Sequence, residues 1–186
     1  MTRWYKKGFC THSWRVDETY IKVKGMWKYL YRAVDSQGKT IDFYLSHTRN
    51  AKAAQRFLQK TFKGLESWQQ PTKINTDQNP AYGAAIRKMK DEGKCNEGLI
   101  HRKRKYLNNV IEADHGKLKR LVKPTLGFKS MKTAYATPKG FEVMRMFRKG
   151  QFDLWYGFHP HGLNRNVRLQ GEIRLIERQF DTYPFQ

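Results

Sequence analysis

Trp14-Arg15-Val16-Asp17-Glu18-Thr19-Tyr20-Ile21-Lys22-Val23, closed by Lys24-Gly25, is the stretch that decides the architecture. β-Branched and aromatic side chains dominate it, and these fit a pleated, half-buried surface, so it predicts a strand ending in a turn. Trp27 to Val34 returns as a second strand, Asp35-Ser36-Gln37-Gly38 turns the chain again, and Thr40 to Leu45 alternates Ile41, Phe43 and Leu45 with polar neighbours. Three sequential strands joined by short turns make an antiparallel meander.

The period then changes. Asn50 to Phe62 carries Ala54, Phe57, Leu58 and Phe62 at helical spacing, with Asn50 placed as a cap. A short strand is expected at Lys73 to Thr76, a helix from Pro80 to Glu92 ending at Gly93, and another short strand near Leu99 to Arg102. Asn109 to Leu121 reads as a helix, and so does Pro138 to Lys149, with Thr137 as its cap and Pro138 at its first position. Sequential strands that pair antiparallel, followed by strands reached through helices, predict an α/β fold. The sheet is mixed and five-stranded, three antiparallel strands plus two parallel, flanked by helices, which is the ribonuclease H-like order.

The chain of 186 residues suits one domain with a real core. Hydrophobic residues at 39% and aromatics at 14% argue against disorder, despite a mean hydropathy of -0.84. No apolar run approaches a membrane span, the N-terminus has no signal-peptide core, and Cys10 and Cys95 are isolated. The expectation is a reduced, soluble, intracellular protein. Thirty-seven Lys and Arg face sixteen acids, a formal net charge of +21. Residues 101–150 hold fourteen of the basic residues against three acids. Such clustering suits a phosphate backbone, where each neutralised phosphate releases a counterion.

Three acids stand out. Asp17 lies mid-strand, Asp77 follows the fourth strand and Glu112 opens a helix, with 59 residues between the first two and 34 between the last two. Two hard divalent cations roughly 3.5–4 Å apart, held by carboxylates, activate the attacking oxygen and stabilise the leaving one in phosphoryl transfer. Asp17, on the central strand, is the natural bridge. Each acid also has a plainer reading. Asp77 fits a turn or a helix cap, and Glu112 fits the first turn of its helix. Asp17 is harder to dismiss, because a carboxylate in an apolar strand is costly without a partner. Glu18, Asp35, Asp42, Asp91 and Asp114 read as structural. His159-Pro160-His161 and Cys10-Thr11-His12 lack the partners of a zinc site.

These residues resemble a known family, the bacterial insertion-sequence transposases with an Asp-Asp-Glu core shared with retroviral integrases, and within it the insertion-sequence-six family. The resemblance is carried by Val16-Asp17-Glu18-Thr19-Tyr20-Ile21-Lys22-Val23-Lys24-Gly25, Tyr29-Leu30-Tyr31-Arg32-Ala33-Val34-Asp35 and Asn75-Thr76-Asp77. Tyr106-Leu107-Asn108-Asn109-Val110-Ile111-Glu112, Asp114-His115-Gly116-Lys117-Leu118-Lys119-Arg120 and Gly127-Phe128-Lys129-Ser130-Met131-Lys132-Thr133-Ala134 complete it. It implies that Asp17, Asp77 and Glu112 bind two Mg²⁺ ions, with Mn²⁺ able to substitute. It implies end cleavage freeing a 3′-hydroxyl, and attack of that hydroxyl on target DNA. Lys119, two helical turns beyond Glu112, is expected to hold a DNA phosphate beside the metals. His115 is read as a supporting or structural histidine near them. His101, Arg102, Lys103, Arg104 and Lys105 are expected along the DNA channel, and Lys117, Arg120 and Lys123 likewise, as phosphate contacts.

The resemblance divides the chain into an N-terminal remnant (1–12), an integrase-like catalytic core (13–150) and an aromatic C-terminal tail (151–186). It implies element ends and target DNA as partners, a homo-oligomer on DNA, no membrane, and a cytoplasmic, nucleoid-associated location. Full members carry an N-terminal helix-turn-helix that reads the element's ends. With Asp17 so near the start, the expectation is a chain that binds DNA with little sequence preference. Two other classes compete: a non-catalytic basic nucleic-acid-binding protein, and a ribonuclease H-like nuclease that cuts without joining.

Overall fold

The computed structural model describes residues 12–148. Strand β1 (Ser13–Val23) and strand β2 (Met26–Asp35) pair antiparallel from Trp14 opposite Asp35 to Val23 opposite Met26. Lys24 and Gly25 between them both take positive φ, 50° and 76°. That is the backbone of a two-residue hairpin turn whose twist matches its strands. The next turn is built by Asp35, whose Oδ1 accepts the backbone N–H groups of Gln37 (2.9 Å) and Lys39 (2.8 Å). Strand β3 (Thr40–Ser46) then pairs antiparallel with β2.

Two parallel strands extend the other edge. Strand β4 (Lys73–Thr76) pairs with β1, and strand β5 (Ile100–Lys103) pairs with β4, giving the order β3-β2-β1-β4-β5. This is the expected ribonuclease H-like mixed sheet, with β5 starting one residue later than the sequence suggested. Helix α1 (Ala51–Phe62) leads to β4 and helix α2 (Pro80–Asp91) leads to β5. Asn50 caps α1 by accepting the Ala53 N–H at 2.9 Å, and Asn79 caps α2 by accepting that of Ala81 at 3.0 Å. Gly93, at φ 63°, ends α2 as read.

Alternation along β1 divides the core. Trp14 and Val16 join Tyr31, Ala33 and Ile41 in one apolar layer with Phe57 and Leu58 of α1 and Tyr82 and Met89 of α2. Ile21 and Val23 belong to the other layer, with Leu30, Phe43, Leu45, Leu118, Phe128 and Ala134. Leu118 comes from helix α3 (Asn109–Val122), and Ala134 from helix α4 (Met131–Arg148).

Helix α4 corrects the sequence reading. It begins seven residues before Pro138, which lies inside it. Thr137 does not cap it; its hydroxyl donates to the Thr133 carbonyl at 3.3 Å, and Ser130 starts the helix by accepting the Ala134 N–H at 3.0 Å. An internal proline costs a helix roughly 3 kcal/mol. Tertiary contacts offset that cost here. Glu142 and Arg145 of α4 are buried against Arg32, Thr40 and Asp114, and Arg32 Nη2 lies 2.6 Å from Glu142 Oε1. The residues from 149 on, including the aromatic tail and the His159–His161 pair, lie outside the described residues, as do 1–11 with Cys10.

Candidate functional site

The parallel pairing of β1 with β4 covers only Ser13, Trp14 and Arg15. Beyond Arg15, β1 continues without β4 beside it, and the chain leaves β4 after Thr76. The strands therefore part where Asp17 and Asp77 stand. A gap at the carboxyl ends of parallel strands is where α/β sheets receive ligands. Helix α3 closes it from the side. Glu112, His115, Gly116 and Lys119, spaced i, i+3, i+4 and i+7, form one stripe facing the gap, while Ile111 and Leu118 are buried. The result is a pocket of about 550 Å³ lined by Asp17, Glu18, Thr19, Tyr20, Arg49, Asp77, Gln78, Glu112, His115, Gly116 and Lys119.

The three singled-out acids thus come from a strand, a loop and a helix into one cavity. Asp17 is 14% exposed at its side chain, and His115 Nδ1 lies 3.4 Å from its Oδ2. Burial lowers the His115 pKa, with Arg32 and Lys119 adding to the effect and Asp17 opposing it. The ring is then neutral at pH 7, and with the proton on Nδ1 it donates to Asp17. His115 Nε2 is buried with no hydrogen-bond partner among the described residues. Asp77 Oδ1 accepts the Asn79 N–H at 3.0 Å, so Asp77 shapes the turn while Asn79 caps α2. Burial raises the Asp77 pKa, and the negative charges of Glu18 and Asp17 push the same way against the Asn79 hydrogen bond and Arg49. Glu112 is exposed, and Asn108 before α3 makes no side-chain cap bond. Among the described residues, no three His, Cys, Asp or Glu side chains already converge to hold one ion. The acids line the pocket without closing a cage.

Glu18 points to the opposite sheet face from Asp17. There the Tyr82 hydroxyl donates to it, with Asn79 Nδ2 at 3.1 Å and Arg49 Nε at 2.5 Å. Three donors give this carboxylate a structural berth at the pocket's floor, as read. Asp35, Asp42 and Asp114 also have structural berths, in a turn, against Lys60 and against Arg145.

The basic residues divide. Lys119 is in the pocket, its Nζ 5.3 Å from the centroid of the Tyr20 ring. Lys117 lies 3.8 Å from Asp114, while Arg120 and Lys123 are exposed beyond the pocket lining. Arg102 and Lys103 are exposed on the edge strand β5, Arg104 follows them, and the Lys105 side chain lies outside the described residues. His101 turns inward instead, with Nε2 2.8 Å from the Thr76 hydroxyl, and burial lowers its pKa. Arg49 and Tyr20 are pocket residues that sequence reasoning did not single out. Arg49 sits in the loop before the Asn50 cap, where only the cap carries a local signal.

A family model described as a DDE domain matches residues 11–151. The transposase for the insertion sequence-like element IS431mec of Staphylococcus aureus is 39% identical over 158 residues, 84% of this chain. The transposase for insertion sequence element IS257 in transposon Tn4003, from the same species, gives the same values. The chain spans 66% of the length of these curated relatives. Among solved structures, the HTLV-2 integrase catalytic core domain in complex with magnesium (trimeric form) overlaps at TM-score 0.49 and 20% identity, covering 64% of this chain and 74% of that one. The BIV integrase catalytic core domain overlaps at TM-score 0.44 and 15% identity, covering 59% and 68%. With the DDE-domain match running through every acid of the pocket, the chain belongs to the insertion-sequence-six family of DDE transposases.

Proposed function

We propose that the pocket performs metal-dependent DNA end cleavage and strand transfer, as the catalytic core of an insertion-sequence transposase. The observation that carries the reading is the meeting of Asp17, Asp77 and Glu112 with Lys119 in one cavity, in a chain of net charge +21.

The donor set fits divalent cations. Burial and the charges of Glu18 and Asp17 raise the cost of ionising Asp77, as its lifted pKa records, and a hard cation relieves that cost. Asp17, Asp77 and Glu112 would hold two Mg²⁺ ions, with Mn²⁺ able to substitute. When bound, such ions supply a nucleophilic oxygen at neutral pH and stabilise the leaving oxygen. The chain's own groups do the rest. His115 orients Asp17 through Nδ1, and Arg49 and Tyr82 hold Glu18 off the reacting centre. Lys119 neutralises and positions a backbone phosphate. In cleavage, water attacks the phosphodiester at the element's end and the 3′-oxygen leaves as a hydroxyl. In joining, that hydroxyl attacks a target phosphodiester, forming one P–O bond as another breaks. Element ends and target DNA are the partners in this reading. A homo-oligomer holds the two ends together, acting in the bacterial cytoplasm at the nucleoid. The catalytic unit in this reading is residues 13–150. Arg102, Lys103, Arg104, Lys105, Lys117, Arg120 and Lys123 extend the phosphate-binding surface.

The test is nicking and strand joining on plasmid DNA with Mg²⁺ or Mn²⁺, with Asp17→Asn, Asp77→Asn and Glu112→Gln beside the wild type. The expected result is joined product from the wild type and none from the variants. Nicks without joined product would make the protein a nuclease, and activity surviving Asp17→Asn would overturn the site.

A further inference from the structure

The β1–β2 hairpin carries an aromatic group that the pocket chemistry leaves unused. Tyr20 and Trp27 are 50% and 59% exposed, a large fraction for rings of this size. Their centroids are 5.9 Å apart at 70°, and Tyr29 meets Tyr20 at 6.5 Å and 88°. Tyr20 and Tyr29 are cross-strand partners, and Trp27 faces Lys22, so all four lie on one face of the sheet. Helices α1 and α2 cover that face further along, at Trp14, Val16 and Tyr31, and among the described residues no helix covers Tyr20 and Trp27 at the hairpin end. Edge-to-face packing keeps the rings in place without help from a covering helix.

Two features indicate what this surface receives. It is continuous with the pocket, because Tyr20 lines the pocket and lies under the Lys119 ammonium. Its surroundings are positive, with Lys22 and Lys24 exposed on the same hairpin. Aromatic rings beside ammonium groups match a strand whose phosphates meet the charges while its bases stack. A paired base has both faces covered by its neighbours, so only an unpaired base can use the rings.

We propose that Trp27 and Tyr20 form a stacking platform for unpaired nucleobases of the DNA strand that enters the pocket. This inference rests on the pocket being a DNA phosphoryl-transfer site. The platform gives that site a preference for frayed or single-stranded flanks next to the reacting phosphate. Lys119 links the two parts, with its ammonium between the phosphate site and the Tyr20 ring.

The test measures affinity for a blunt DNA duplex and for the same duplex bearing a short unpaired flank labelled with 2-aminopurine. The wild type is expected to favour the flanked DNA and to quench the fluorophore. Trp27→Ala is expected to lose roughly tenfold in affinity for flanked DNA while binding blunt duplex unchanged, and Trp27→Phe to retain most of the preference. Equal binding of both DNAs by the wild type, or an undiminished preference in Trp27→Ala, would overturn the proposal. So would loss of self-association in Trp27→Ala with the preference intact, which would assign the rings to a second copy of the chain. Asp17→Asn separates the two readings, because it leaves stacking in place. A flank preference in a wild type that never nicks DNA refutes the cleavage site and supports the platform.

Discussion

Asp114 and His115 are neighbours on α3, yet they belong to two differently built charge clusters. Asp114 joins Arg32, Glu142 and Arg145 in a buried set of two acids and two bases, closed by the Thr40 hydroxyl donating to Glu142 at 2.6 Å. His115 faces the pocket, where Asp17 has one imidazole at 3.4 Å and Asp77 a single backbone N–H. Burial lowers the Arg32 pKa and Glu142 opposes the shift, so charge is compensated inside the protein. Burial and like charge raise the Asp77 pKa, and the Asn79 N–H and Arg49 offset that only in part. One cluster holds α3 and α4 to the sheet; the other keeps Asp77 with its charge only partly compensated.

That contrast can be broken at either end. The largest effect is expected from Asp17→Asn. It should cut nicking and joining by on the order of 10³-fold or more, with no fall in melting temperature, since an amide oxygen can still accept from His115 and one negative charge beside Asp77 is removed. Arg145→Ala should do the reverse. It takes the close partner from buried Asp114, while Glu142 keeps Arg32 and Thr40, an expected loss of about 3 kcal/mol in denaturant unfolding. Activity should then fall only as the folded fraction falls.

Asp77→Asn sharpens the contrast by its sign. A carboxyl whose folded pKa lies above its unfolded one costs stability above the folded pKa, and the cost fades as pH drops through it. The neutral variant, without metal, should therefore melt at a higher temperature than wild type at pH 7, with the difference shrinking in acid. Adding Mn²⁺ should raise the melting temperature of wild type more than that of the variant. A lower melting temperature for the metal-free variant would show that the Asn79 turn outweighs the charge. The smallest effect concerns the helix that completes the closed cluster. Ser130→Ala removes the hydroxyl 3.2 Å from the Thr133 N–H and should cost about 1 kcal/mol.

The same division explains what was legible in the sequence. The meander could be read because alternation, Lys24-Gly25 and Asp35 act within a few residues of one another. The caps Asn50 and Asn79 and the stop at Gly93 are local in the same way. The start of α4 could not, because Pro138 is a strong local signal overridden by Glu142 and Arg145 contacting residues over thirty to a hundred positions away. Nothing in the sequence says that Arg32, inside a strand, pairs with Glu142. At the site, the pattern singled out Asp17 over Glu18, and the strand's alternation then sends them to opposite faces. His101 was grouped with its basic neighbours by composition, but strand geometry turns it toward Thr76. Arg49 and the hairpin aromatics gain their meaning only from the pocket beside them.

The central claim is that Asp17 ligates a metal in a DNA-cutting site, and Asp17→Cys tests it most directly. A thiolate is a poor ligand for hard Mg²⁺ and a better one for the softer Mn²⁺. The account predicts a variant that is inactive on plasmid DNA in Mg²⁺ and regains nicking in Mn²⁺. A variant that cuts as well as wild type in Mg²⁺ would show that Asp17 is not a metal ligand.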